Sequence, residues 1–217
     1  MGSMVNLHTY LKCNHSNIDN RPVWYINQSM NSDAKIKPES TSRYLHAWEI
    51  AEARRVFYNQ LSYERIRIHE NVSWPNTVNK IGAFLKRTTY VAAPNAVTLG
   101  NHIYFPVKLV EKPIRVEHPE HYKISWLMHE LTHVWQYQCM GWRYLFKALS
   151  AQFRYGETAY DFGGEEGLKV CQIQGWTIGD FNLEQQGDIA RSYYERICKG
   201  IDVNAWQPFI NEIRGNN

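Results

Sequence analysis

The chain is poor in several features that would each have pointed to a class of protein. Its 217 residues contain no uninterrupted apolar run of about 18, which argues against a membrane-spanning helix. Its four cysteines, Cys13, Cys139, Cys171 and Cys198, are far apart and form no CxxC pair. That spacing spells neither a zinc ribbon nor a dithiol redox motif. Reduced, buried or half-buried thiols are expected, with disulfide formation after export as the alternative. Charge of one sign is also scarce: the formal net charge is +3, too small for the basic footprint of a nucleic-acid binder or for an acidic tail. Residues 1–3 read as a tag remnant, and the residues after Met4 lack the apolar core of a signal peptide. No internal repeat or low-complexity tract is evident.

What is present is enough for one domain with a real core. Hydrophobic residues make up 44% of the chain and aromatics 14%, including eight tryptophans and fourteen tyrosines. Residues 1–41, rich in Asn and Ser, read as the tag remnant and a poorly packed extension, and residues 42–217 as the domain. RYLHAWEIAEARRVFYNQL (43–61) has apolar residues at helical spacing and predicts a helix. YERIRIHE (63–70) alternates and predicts a half-buried strand. SWPNTV (73–78) reads as a loop, NKIGAFLKR (79–87) as a short helix and TTYVAA (88–93) as a strand. In NAVTLGNHIYFPV (95–107), Gly100-Asn101 between two β-prone runs signals a hairpin. Helices are expected over about 120–139 and 142–153, with a loop over 154–167. FNLEQQGDIARSYYERICKG predicts another helix, capped by Asn182 and ended by Gly200, and Asp202 is expected to cap a last one through Ile213. A helix, a cluster of strands and then helices argue for an α+β fold.

The stretch that carries chemistry is SWLMHELTHVWQYQCM (125–140). His129 and His133 lie about 40° apart on one helical face, so both imidazoles can grip one ion. Glu130 lies about 100° round from His129, better placed to reach a water on that ion than the ion itself. This is the His-Glu-x-x-His pattern of zinc peptidases, in which the glutamate is general base and the metal polarises the scissile carbonyl. Ile124, Leu127, Leu131, Val134 and Trp135 form the opposite, core-facing stripe, while Trp126 and Gln136 share the histidine face. The histidine face is therefore expected to floor a cleft. The plainer alternative is a pair of hydrogen-bonded core histidines.

A catalytic zinc needs a third protein ligand. Glu184 and Asp188 are one turn apart on the late helix, so Glu184 could complete the site while Asp188 orients a ligand histidine. Glu157 and Asp161 repeat the spacing, so Glu157 is an alternative third ligand. Glu165 and Glu166, in a glycine-rich stretch, are weaker candidates. Tyr155, Tyr160 and Tyr194 are candidate donors to a tetrahedral oxyanion. The 97–105 hairpin offers either an edge for an extended peptide or simple sheet structure.

HELTHVWQYQ, with NAVTLGNHIYF and EARRVFYNQLSYERIRIHE before it and FNLEQQGDIARSYY after it, resembles the zincin-like metallopeptidase domains associated with Rhs and Vgr proteins of bacterial type VI secretion systems. The resemblance covers about residues 42–198. It implies a zincin-like α+β fold: a small, twisted, mostly antiparallel sheet on the motif helix, followed by further helices. It implies a gluzincin-like site with His129, His133 and Glu184 on Zn2+ and Glu130 as base, and so favours Glu184 over Glu157. One departure is Gly187, where alanine would be expected. The implied function is a zinc metallopeptidase acting as an antibacterial effector, made in the cytoplasm and delivered by type VI secretion. The implied substrate is a peptide or protein. Alternatives are a peptidoglycan cross-link hydrolase and a silent zincin-fold adaptor on a Vgr or Rhs spike. Expected partners are a spike or an immunity protein, with no nucleic acid.

Overall fold

The computed structural model describes residues 40–73, 96–141 and 161–215. Residues 1–39 of the extension expected over 1–41, all but the first residue of the loop expected over 73–78, the helix and strand expected over 79–93, the helix over 142–153, and Tyr155, Glu157 and Tyr160 lie outside the described residues.

Within them the fold is α+β, with five helices and one four-stranded sheet. The strands are β1 (Thr41–Tyr44), β2 (Arg67–Glu70), β3 (Val97–Leu99) and β4 (His102–Tyr104). The helices are α1 (Ala47–Phe57), α2 (Tyr122–Met140), α3 (Gly164–Ile173), α4 (Leu183–Cys198) and α5 (Gln207–Ile213). The sheet order is β1-β2-β4-β3. Its outer pairings are antiparallel, but the central pairing of β2 with β4 is parallel, so the sheet is mixed.

The β3–β4 hairpin forms where the Gly-Asn signal places it. Val97 pairs with Tyr104 and Leu99 with His102, and Gly100 takes a φ of +65°. A positive φ at the first central residue is what a two-residue type II′ turn needs, and glycine adopts it without a Cβ penalty. In β2 the alternation also holds: Ile66, Ile68 and Glu70 are buried while Arg67 and His69 are half-buried. Tyr63–Arg65, however, form a 3-10 turn before the strand begins.

The expected helix from Arg43 is corrected at its start. Residues 41–44 form strand β1, and the helix begins at Ala47. The reason is a buried ion network that a sequence period does not reveal. The Arg43 guanidinium grips both oxygens of Glu49 on α1, at 2.7 and 2.9 Å, and Glu70 Oε1 on β2 at 2.9 Å. Glu49 is fully buried and Glu70 is 3% exposed, so two buried carboxylates share one arginine as counter-charge. Glu49 also accepts from the His46 backbone N–H, closing the first turn of α1 as a capping box.

Two other boundaries move. Residues 164–167 open α3 rather than continuing a loop, with Glu165 and Glu166 in its first turn. Acidic residues suit that position because they face the positive end of the helix dipole. The final helix begins at Gln207, and Asp202 lies in the preceding turn, accepting from Asn204 N.

The core is one cluster. It joins Ile66, Ile68, Ile103 and Phe105 of the sheet side to Val56 and Phe57 of α1, and to Ile124, Leu127, Leu131 and Val134 of α2. Ile189, Ala190 and Tyr193 of α4 and Phe209 and Ile210 of α5 close it. Each such side chain contributes about 1.5–3 kcal/mol by leaving water, so this stripe holds the motif helix firmly in register. No helix among the described residues is long and apolar enough to cross a membrane. Cys139, Cys171 and Cys198 are free thiols, and Cys13 lies outside the described residues.

Candidate metal centre

The site forms where α2 and α4 pack against each other. Helix α4 is set by its ends: the Asn182 side chain accepts from Gln185 N, and Gln185 Oε1 accepts from Asn182 N. This reciprocal cap satisfies two amides left unpaired at the helix start and places Glu184 in the first turn. Glu184 thereby meets the histidine face of α2.

Three donor atoms converge there. His129 Nε2 and His133 Nε2 lie 3.1 Å apart, and Glu184 Oε2 lies 3.3 Å from the first and 3.5 Å from the second. Tetrahedral ligands bound to zinc at about 2.0–2.2 Å sit about 3.3–3.6 Å from one another; the two edges to Glu184 fall in that range and the edge between the imidazoles is slightly shorter. Two imidazoles and a carboxylate also suit zinc chemically, and three protein ligands with one open position is the pattern of catalytic rather than structural zinc. Among the described residues, His129, His133 and Glu184 are the group of metal-binding side chains brought together in this way.

The outer contacts orient the rings. His129 Nδ1 is 3.0 Å from Asp188 Oδ1, and the carboxylate accepts, so Nδ1 carries a proton and Nε2 is the nitrogen turned toward the centre. His133 Nδ1 is 2.9 Å from Gln136 Oε1. Both rings thus turn Nε2 toward the Glu184 carboxylate.

The electrostatics express the same demand for a cation. Burial works against a charged His129, but the Asp188 and Glu184 carboxylates outweigh it and push its pKa up to about 10. Burial likewise opposes protonation of His133, and Glu184 reverses it, so its pKa is raised. Burial would raise Glu184, but the two imidazoles hold its carboxyl well below the usual range.

Glu130 stands beside this triangle and not within it. Its Oε2 accepts from the Thr98 hydroxyl of β3 at 2.7 Å, and its charge acts on both imidazoles. The motif helix is thereby tied to a strand that forms one edge of the sheet among the described residues. The expected open cleft is modified. His129, Glu130, His133 and Glu184 are only 5–8% exposed, with α4 packed against the histidine face and β3 against Glu130.

Other sequence candidates lie elsewhere. Tyr194 is ten residues, about 15 Å along the axis, beyond Glu184. Its hydroxyl donates to Glu52 of α1 at 2.9 Å, and its ring stacks on His121. That removes it as an oxyanion donor at this centre. Glu165 pairs with Lys169 and Arg196, and Glu166 with Lys169, so neither serves the triangle.

Three residues matter here in ways that sequence reasoning did not identify. Thr98 holds Glu130; its signal was only the inward phase of a strand. Gln136 was visible on the histidine face without a role. Gly187 looked like a departure that weakens a helix, yet it gives His129 room: a Cβ there would come 2.7 Å from Cε1 of the ring.

No family model matches the chain, and no solved structure matches it. Among curated proteins, it is similar to the type VI secretion system spike protein VgrG2b of Pseudomonas aeruginosa, with 31% identity over 155 residues. The aligned region is 70% of this chain but 13% of that protein, so the chain spans a small part of the relative's length.

Proposed function

We propose that this protein is a zinc-dependent peptidase whose ligands are His129, His133 and Glu184 and whose general base is Glu130. The observation that carries the reading is the meeting of two Nε2 atoms and a carboxylate oxygen within 3.1–3.5 Å, each ring backed on Nδ1 by an acceptor. Three such atoms at that spacing need positive charge among them, which a metal ion supplies in place of protons on the rings. Plain core histidines would instead point their second nitrogens at separate partners.

When bound, zinc would polarise a carbonyl and make its water acidic near neutral pH. Glu130 would accept the proton of the attacking water and return it to the leaving amine. The Thr98 hydroxyl, bonded to one Glu130 oxygen, leaves the other for that work. Asp188 and Gln136 hold the rings, and burial of the centre limits competing water.

Similarity to a type VI spike protein supports a role on or with a secretion spike. Delivery as an antibacterial effector is the form of that role we favour. The same comparison favours a second reading, a catalytically silent module that binds a spike.

Glu130→Gln separates the two. On the peptidase reading, the variant loses hydrolysis of a mixed peptide library and keeps one zinc per chain. Full hydrolysis by Glu130→Gln would overturn the mechanism. A stoichiometric spike complex, indifferent to chelator and formed by a wild-type chain that cleaves nothing, would favour the silent module.

A further inference from the structure

Gln136 is buried with no exposed surface, and every polar atom of its side chain is engaged. Its Oε1 faces His133 Nδ1 at 2.9 Å. Its Nε2 donates to the Leu183 carbonyl at 2.9 Å and to Gln186 Oε1 at 2.9 Å. Gln186 in turn donates through Nε2 to the Phe181 carbonyl at 2.9 Å. Backbone carbonyls can only accept, so they dictate which way both amides point. With Phe181 and Leu183 taking N–H donors, Gln136 must present its oxygen to His133.

We propose that Gln136 is a positioning residue of the metal centre: with Gln186 it forms a directed amide relay that forces the proton of His133 onto Nδ1 and so dedicates Nε2 to the metal. The inference rests on the zinc reading of the site.

The relay does two things at once. It selects the ring tautomer from carbonyls just before and at the start of α4, and it ties α2 to the residue preceding Glu184. The two histidines are therefore held differently. His129 is backed by the Asp188 carboxylate, which is 21% exposed at its side chain and lies 3.9 Å from Arg191. His133 is backed by a neutral, fully enclosed amide. An amide can both accept from the ring and donate to two oxygens. A carboxylate there could not make the two donations, and an alkyl side chain could make none of the three bonds.

A packing role and a positioning role order the variants oppositely. If Gln136 only fills space, Gln136→Leu should keep zinc affinity, and Gln136→Glu, which buries a charge, should harm it most. If it positions His133, Gln136→Leu should weaken zinc binding about 10–100-fold, the usual cost of losing an outer partner of a ligand histidine. Gln136→Glu, which still accepts from Nδ1 but loses the two donations, should lose less than Gln136→Leu.

The measurement is zinc affinity by competition with a chromophoric chelator, on the full chain. Nitrogen-15 NMR of the zinc-loaded wild type gives a second test that needs no variant. It should show His133 bound through Nε2 with a protonated Nδ1, and coordination through Nδ1 would overturn the proposal. Equal zinc affinity in Gln136→Leu and wild type would also overturn it while leaving the zinc site standing. A wild type that takes up no zinc overturns both readings together.

Discussion

Gly187 of α4 lies flat against the imidazole of His129: a Cβ at that position would stand 2.7 Å from Cε1, 2.8 Å from Nδ1 and 3.0 Å from Nε2. Two helices can approach this closely only if one of them lacks a side chain at the point of contact. The glycine that weakens α4 by about 1 kcal/mol relative to alanine is thus the residue that lets Asp188 and Glu184 reach the ring.

Gly187→Ala is accordingly expected to gain nothing from its better helix propensity. Overpacking of this kind costs about 1–3 kcal/mol and displaces the side chain that is struck. We expect a lower melting temperature and a zinc affinity reduced by roughly 10–100-fold, as for other losses of ligand orientation. A more stable variant with unchanged zinc affinity would show that the ring has room to move.

The choice of third ligand is open to direct test. Zinc content after dialysis should be one ion per wild-type chain. Glu184→Gln should fall well beyond the roughly 10–100-fold loss typical of outer partners, because it removes a ligand itself. Glu157→Gln should retain the metal. The reverse pattern would move the site to Glu157.

The site should also make stability depend on pH in opposite ways with and without metal. His129 is raised from an ordinary 6.5 to about 10, so in the metal-free chain its contribution is complete below pH 6.5 and fades as pH rises toward 10. Glu184 is depressed below its ordinary 4.5, so its contribution is complete above pH 4.5 and fades at lower pH. For this cluster the metal-free protein is best stabilised between those two ordinary values. Zinc must displace the proton on His129, so its stabilising effect should grow with pH. Melting temperatures with zinc and with chelator should differ more at about pH 8 than at about pH 5.5. A difference independent of pH would contradict this coupling.

Arg43 is predicted to be the most sensitive charged residue outside the site. Arg43→Met leaves Glu49 and Glu70 buried without a counter-charge, which costs about 3–5 kcal/mol. Urea denaturation should register this as a large drop in midpoint. A loss below about 1 kcal/mol, the range of exposed ion pairs, would mean the two carboxylates find other partners.

Tyr194→Phe should leave zinc affinity and peptide hydrolysis within about twofold of wild type, since the hydroxyl serves Glu52. Its cost should be the hydrogen bond alone, about 1 kcal/mol by thermal or urea unfolding. A hundredfold loss of hydrolysis with zinc retained would restore Tyr194 as a donor to the reacting carbonyl.

Much of this protein is legible in local sequence because local rules act over one turn of helix or one hairpin. The four-residue spacing of His129 and His133, the Asn182 cap with Gln185, and the Gly100-Asn101 turn all follow from chain geometry within a few residues. So does the opposition of Leu127, Leu131 and Val134 to the histidine face. The residue pattern of Glu184 and Asp188 also marked them as a ligand and its neighbour, but an identical spacing at Glu157 and Asp161 could not be separated from it by period alone.

What tertiary structure decided are the relations between segments distant in the chain. Packing of α2 on α4 brings Glu184 to both imidazoles across more than fifty residues of sequence, and the clearance at Gly187 sets how near it comes. The same packing buries the histidine face that the sequence alone would have left lining an open cleft. Arg43 lies in a strand because its backbone pairs with β2, and its guanidinium then reaches carboxylates on both α1 and β2. The direction of Gln136 likewise depends on carbonyls from another helix's approach. Sequence period specifies which face a side chain occupies; which partner it meets there is a matter of packing between elements, and that is where the chemistry of this centre is determined.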